Sequence, residues 1–374
     1  MRIRIFDNGL RSATGHHFDY CLRLARCLIL RGHTVSVWGA HGMQDVLFAA
    51  FRQCNCQPFA LFSHFSHDAP EPGICTRQAL ETWAQVTASE LASAEPADLS
   101  LFPTFTALQL AAWSRLEHGG PMAGLMHQPP EDDHPLGGAL WAEAAGRVRA
   151  RGLQVAIGAI DPLIGALLRG AGDALPVFDW PMPLDGSPKQ HYLPQISTIG
   201  FFGYQRLERG ITLIPALTDA LLGAGYTILI HDTMGQFQPQ AVIARLRLIN
   251  GFVSDLGAAM APCDLVVCTM QPERYRQRTS GIACTAVASG IPLVLPAGTL
   301  SAQRYQALGS VACYDGQTVQ AVLQAVQTSG RDYTQRVQAA KRGAYTWHQT
   351  QGMERFVDAV LAAASPSTAR PAAG

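Results

Sequence analysis

The residues with the clearest chemical spacing lie in two segments of the C-terminal half. Arg206 and Arg209 stand in Ile199-Gly-Phe-Phe-Gly-Tyr-Gln-Arg-Leu-Glu-Arg-Gly210, and Arg274, Arg276 and Arg278 run into Thr279-Ser280-Gly281. Guanidinium forks match phosphate oxygens. Glycines let backbone approach a ligand closely, and a helix that opens on Ser/Thr and Gly offers N–H groups to an anion. Taken singly, each segment also reads as an ordinary turn with solvated arginines. As a converging pair, they form a candidate diphosphate pocket.

Three histidines could move a proton near neutrality. His16 and His17 follow Gly15 in the loop after the first strand, and His127 stands in Leu125-Met-His-Gln-Pro-Pro-Glu131, past a strand end. Each has a plain structural alternative as a helix-capping or strand-end histidine. Glu131, Asp132 and Asp133 could serve as a base instead, although loop acids are usually just solvated. His231-Asp232-Thr233-Met234-Gly235 is a polar strand end beside the same expected pocket, and no Asp-x-Asp metal motif stands at a strand end.

Alternating strands and helices must position these residues. Ile3–Phe6 and Thr34–Trp38 read as strands flanking a helix with Phe18, Cys21, Leu22, Ala25, Leu28 and Ile29 on one stripe. Arg31-Gly32-His33 stops that helix, and the β-α-β unit implies a parallel sheet with a right-handed crossover. Further strands are expected at 99–102, 124–126, 153–157 and 176–178. After a break at Trp180-Pro-Met-Pro-Leu-Asp-Gly-Ser-Pro188, strands are expected at 196–202, 226–231, 264–269, 292–295 and 311–314. Helices are expected at 210–223, 240–248, 281–289 and 319–328. Ligands of doubly wound sheets bind beyond the carboxyl ends of the strands, where both arginine segments fall.

The resulting expectation is α/β, two doubly wound Rossmann-like domains. An N-terminal acceptor-side domain covers 1–180, a hinge 181–195 and a donor-side domain 196–346. A C-terminal helix over 347–364 is free to cross back to the first domain, and 365–374 reads as a disordered tail. A chain of 374 residues, 48% apolar and 15% charged, suits two globular domains. Its 28 basic residues balance its 28 acidic ones, which argues against a nucleic-acid partner. Nine cysteines without a Cys-x-x-Cys pair fit a reducing compartment. The charged, short N-terminus has no apolar leader and no stretch reaches membrane-span length, so the expected location is cytoplasmic.

The motifs Gly-Phe-Phe-Gly-Tyr-Gln-Arg-Leu-Glu-Arg-Gly and Arg-x-Arg-Thr-Ser-Gly, the latter followed by Ala-x-Ala-Ser-Gly-Ile-Pro, resemble the donor domain of GT-B glycosyltransferases. The likeness is strongest to those related to family 4 and covers residues 196–300 best. It implies a GT-B fold with two domains facing a central cleft. It also implies metal-independent transfer of a sugar from a UDP- or GDP-linked donor to an acceptor hydroxyl, with retention of configuration and no separate cofactor. Glycan, lipid-linked and small-molecule acceptors all remain open. Arg206, Arg209, Arg278, Thr279, Ser280, Gly281 and Gly15 would hold the diphosphate, and Phe252 would border the base. His127 would be the catalytic base on inversion, with His16, His17 and Glu131 on the acceptor side. The family often carries two glutamates eight positions apart near the ribose; here those slots hold Gln277 and Thr285. That departure keeps an alternative open, a degenerate glycosyltransferase fold acting as a binding or scaffold subunit. An NAD(P)-dependent enzyme is weaker, because no Gly-x-Gly-x-x-Gly follows the first strand.

Overall fold

A computed structural model describes residues 1–13, 16–64, 76–133, 135–170, 175–203, 206–232, 235, 237, 244–251 and 253–364. The chain divides into two compact units, Met1–Pro183 with Met353–Gly374, and Leu184–Gly352.

In the first unit seven described strands form one parallel sheet. They are β1 (Arg2–Phe6), β2 (Thr34–Ala40), β3 (Gln57–Phe62), β4 (Leu99–Phe102), β5 (Met122–Met126), β6 (Val155–Ala159) and β7 (Val177–Asp179), in the order β3-β2-β1-β4-β5-β6-β7. The register aligns Ile3 with Val35 on one side and with Leu99 on the other. The central strands β4, β5 and β6 are buried along their whole length, as a sheet covered on both faces requires. The first helix, His16–Leu30, buries Phe18, Cys21, Ala25 and Leu28 of the expected stripe, together with Tyr20 and Leu24. It ends where Gly32 takes φ +80°, with the His33 N–H bonded to the Leu28 carbonyl. The last helix, Met353–Ala364, also belongs to this unit. It buries Phe356, Val357 and Val360, and the Phe356 ring meets Trp180 edge-on at 5.9 Å.

The second unit has six described strands, all parallel. They are β8 (Thr198–Phe201), β9 (Thr227–Asp232), β10 (Leu246–Asn250), β11 (Leu265–Val267), β12 (Leu293–Pro296) and β13 (Val311–Tyr314), in the order β10-β9-β8-β11-β12-β13. β10 corrects the described end of the helix expected over 240–248, of which residues 240–243 lie outside the described residues. Leu246 and Leu248 alternate with exposed or half-exposed neighbours and pair in register with Ile228 and Ile230 of β9, so period two prevails over helical spacing. Helix Gly281–Ala288 is apolar all round and buried from Ile282 to Ala288, as a helix enclosed within a domain should be.

Opposite the strand ends that carry the arginine loops, Asp264 anchors the entry to this unit. Its carboxylate accepts from the Ser197 and Thr198 N–H groups and from Lys189 Nζ at 3.1 Å. Lys189 also donates to the Cys263 carbonyl at 2.6 Å. The irregular segment from Leu184 is therefore pinned to the sheet although it forms no strand or helix.

Candidate functional site

In each sheet the strand order reverses direction between two central neighbours: β1 and β4 in the first unit, β8 and β11 in the second. Crevices for ligands open at such points, because the following chains leave to opposite faces. Both arginine loops of the second unit emerge there. After β8, Phe202 and Gly203 lead to Arg206, a 3-10 turn over Leu207–Arg209, and Gly210. After β11, Cys268 opens the stretch that reaches helix Gly281–Ala288.

The two loops are bonded to each other. The Thr269 hydroxyl donates to the Arg209 carbonyl at 2.8 Å, and the Gln271 N–H donates to the Glu208 carbonyl at 2.9 Å. Gly210 permits this with φ +74°; a Cβ there would overlap the Thr269 carbonyl. Gly203 is equally constrained. At φ +107°, its missing side chain leaves room for Arg209 Nη1 and for Ile282 Cγ1, each 3.1 Å from where a Cβ would stand. The Arg209 guanidinium thus lies beside the first turn of the buried helix.

That first turn retains spare donors. Ser280 is fully buried and caps the helix, accepting from the Ala283 N–H at 3.4 Å while its own N–H donates to Ser301 Oγ at 3.2 Å. The N–H groups of Gly281 and Ile282 make no hydrogen bond among the described residues. Thr279 Oγ1 and Arg209 Nε are buried without a hydrogen-bond partner among them. Buried polar atoms are nearly always satisfied, so orphaned donors gathered at one strand end are candidates for ligand contact. A small concavity there is lined by Phe201, Phe202, Arg209, Thr269, Met270 and Ile282. Burial pushes the Cys268 thiol on its wall up to about 12, although Arg209 pulls the other way. Cys268 is therefore a neutral packing group near neutrality.

The other charges are arranged unevenly. Arg206 Nη2 pairs with Glu208 Oε1 at 3.2 Å, and Arg278 Nη1 lies 4.0 Å from the same oxygen. No carboxylate among the described residues pairs with Arg209. Its guanidinium and that of Arg278 instead lie over the ring of Tyr275, at 5.5 and 5.6 Å. Arg274 and Arg276 are exposed. Thr285 is buried with its hydroxyl donated back to the Gly281 carbonyl at 2.9 Å, and Gln277 is half-buried in the loop. His231, at the end of β9, shares a 2.8 Å hydrogen bond with the Gly251 carbonyl. Phe252 lies outside the described residues, as do Thr233 and Met234.

In the first unit, His17 meets a group that sequence reasoning passed over. Its Nδ1 stands 2.8 Å from Asp7 Oδ1, with the Asp7 side chain buried and that of His17 half-buried, and its ring lies against Gly9, where a Cβ would overlap it. Burial pushes the imidazolium down, but the Asp7 carboxylate more than reverses this, so His17 titrates above its ordinary value. Asp7 sits one residue past the end of β1, and that position was its one available signal. His127 follows β5, with Nε2 donating to the Pro103 carbonyl at 2.8 Å and its ring 5.6 Å from Tyr20. Glu131 is exposed in the short helix Pro130–Asp133. Gly15 lies outside the described residues; His16 is the first residue of its helix, and its side chain is not described.

Among the described residues no cluster of three His, Cys, Asp or Glu could hold a metal, and no helix is long and apolar enough to cross a membrane. No family model matches the sequence, and no curated protein matches it. The class the fold defines is the two-domain, Rossmann-like GT-B architecture. Sucrose-phosphate synthase from Thermosynechococcus elongatus has a similar structure, with TM-score 0.66 at 14% identity over 98% of this chain and 100% of that one. HepE of Anabaena in complex with UDP gives 0.62 at 14% identity, covering 97% of this chain and 100% of that one. The Streptomyces sp. SF2575 glycosyltransferase SsfS6, complexed with thymidine diphosphate, gives 0.56 at 17%, covering 97% and 99%. At these identities the likeness is one of fold.

Proposed function

We propose that this protein is a glycosyltransferase that moves a sugar from a nucleoside-diphosphate donor to an acceptor hydroxyl. The observation that carries the reading is the cation of Arg209. Among the described residues no carboxylate pairs with it, and it is set beside the open N–H groups of helix Gly281–Ala288, at the switch point of the second sheet. Two structures of the same architecture hold nucleoside diphosphates, UDP in HepE and thymidine diphosphate in SsfS6.

On this reading negative charge grows on the leaving diphosphate as the glycosidic bond breaks. Arg209, Thr279 and the Gly281 N–H meet it with fixed donors, on a helix end that Ser280 caps, the arrangement that contributes most when charge develops in a site shielded from water. Arg206 and Arg278 act behind them, since both are partly neutralised by Glu208. These groups supply the positive field without a metal. The acceptor side falls to the first unit. There, His17 is one candidate base, with its Nδ1 2.8 Å from Asp7 Oδ1, and His127 is the other. The resemblance in the donor loops favours retention, with a hexose as the transferred group.

Isothermal titration with UDP, GDP and thymidine diphosphate, followed by donor hydrolysis over a panel of nucleotide sugars, tests the reading. Binding of one diphosphate with turnover of its sugar conjugate is expected. One observation favours a second reading, that of a non-catalytic binding subunit: Thr285, in the slot of an expected acid, spends its hydroxyl within its own helix. Binding without turnover of any conjugate would favour it, and binding of no diphosphate would reject the donor site altogether.

A further inference from the structure

We infer that Tyr275 is a positioning residue whose ring holds the guanidinium groups of Arg209 and Arg278 in place for the diphosphate; this rests on the donor-site reading above. Tyr275 is fully buried, yet its neighbours Arg274 and Arg276 are exposed. A large side chain turned wholly inward from an irregular loop needs a reason. Its hydroxyl does not provide one, because that oxygen is buried without a hydrogen-bond partner among the described residues. The ring does, since both guanidinium carbons lie over it at 5.5 and 5.6 Å. The main chain that carries the ring is itself held. The Tyr275 N–H bonds to the Gln271 and Pro272 carbonyls at 3.2 Å, and its carbonyl accepts from the Leu300 N–H at 2.8 Å.

A ring suits this task better than an acid. A carboxylate would hold an arginine but cancel most of its field at the place where a phosphate must be met. An aromatic face attracts the cation through its quadrupole and leaves the net charge intact. Glu208 shows the contrast within the same loops. It holds Arg206 at 3.2 Å and partly offsets its charge, whereas Arg209 keeps its charge over Tyr275.

The test separates the ring's electrons from its shape. Phenylalanines carrying increasing numbers of fluorine atoms, placed at 275 in the full chain, keep the packing and progressively drain the quadrupole. Affinity for UDP, read by calorimetry, should fall stepwise to a total of about 5- to 30-fold, the range for a desolvated cation–π contact. Tyr275→Leu should lose a similar factor with an intact melting transition, and Tyr275→Phe should restore what Tyr275→Leu loses. In an Arg209→Gln/Arg278→Gln background, the fluorinated series should have no further effect. A flat fluorine series, or a loss that persists without the two arginines, overturns the inference and leaves the donor site standing. If the wild-type protein binds neither UDP, GDP nor thymidine diphosphate, the donor reading falls and this inference falls with it.

Discussion

The Thr269 side chain donates to the Arg209 main chain at 2.8 Å, so the loop after β11 fixes the backbone from which the loop after β8 projects its arginine. The two loops are therefore one structural object, although they are distant in sequence. Damage to either should appear in the behaviour of both.

Arg209 and Arg206 should differ in weight. Arg209→Gln removes the cation that no carboxylate offsets and should lower turnover by about 10²–10³, the scale for one transition-state donor. Arg206 is 46% exposed and already paired with Glu208, so Arg206→Gln should cost only about 2- to 5-fold on the scale of a screened surface charge. Steady-state kinetics on both variants decides it, and a larger loss at Arg206 would assign the main contact to the wrong arginine.

Glu208→Gln should strengthen diphosphate binding. It frees Arg206 and Arg278 from a shared carboxylate oxygen. The gain should be about 2- to 5-fold at low ionic strength and should vanish toward about 1 M salt, where such charges are screened. Weaker binding would mean that the carboxylate orients the arginines rather than competing for them.

Gly210→Ala should both destabilise the second unit and weaken diphosphate binding. Its φ of +74° and the Thr269 carbonyl at the place of a Cβ combine two costs, together on the order of 1–3 kcal/mol. Gly316→Ala is the control: φ is +78° there, but nothing lies within 4 Å of the new methyl. It should cost less in thermal unfolding and leave binding alone. Equal effects would show that the contact with Thr269 is irrelevant.

The Asp7–His17 pair should make stability depend on pH. Since His17 titrates above its ordinary value in the folded chain, its contribution is fully present below the unfolded imidazole pKa of about 6.5. It is lost as pH rises through the raised folded value. Melting temperatures of the wild type and His17→Gln should differ most near pH 6 and converge toward pH 9. A gap that widens with pH would reverse the assigned direction of the shift.

Much of the architecture was legible because buried parallel strands read as short apolar runs. Ile3–Phe6 and Leu99–Phe102 are buried almost throughout and were expected as strands. The edges were harder. β3 carries Gln57 exposed and Pro58 half-buried at its start, so no strand was expected there, and the alternation of β10 was mistaken for helix. In the candidate site, the arginines, Thr279-Ser280-Gly281 and the flanking glycines announce themselves by residue type. Tyr275, Glu208 and Asp7 do not. Each matters through contacts across a fold or a loop, and no local periodicity records such contacts.

The first unit contains the last helix of the described chain, and this sets an order of assembly. Phe356, Val357 and Val360 complete a core whose other residues precede Leu184, with the whole second unit synthesised in between. On the ribosome the second unit can therefore close around its own sheet while the first still lacks a wall. The usual progression, in which the earlier domain finishes first, meets a limit here: the core of the first unit is complete only once residues 353–360 have been made.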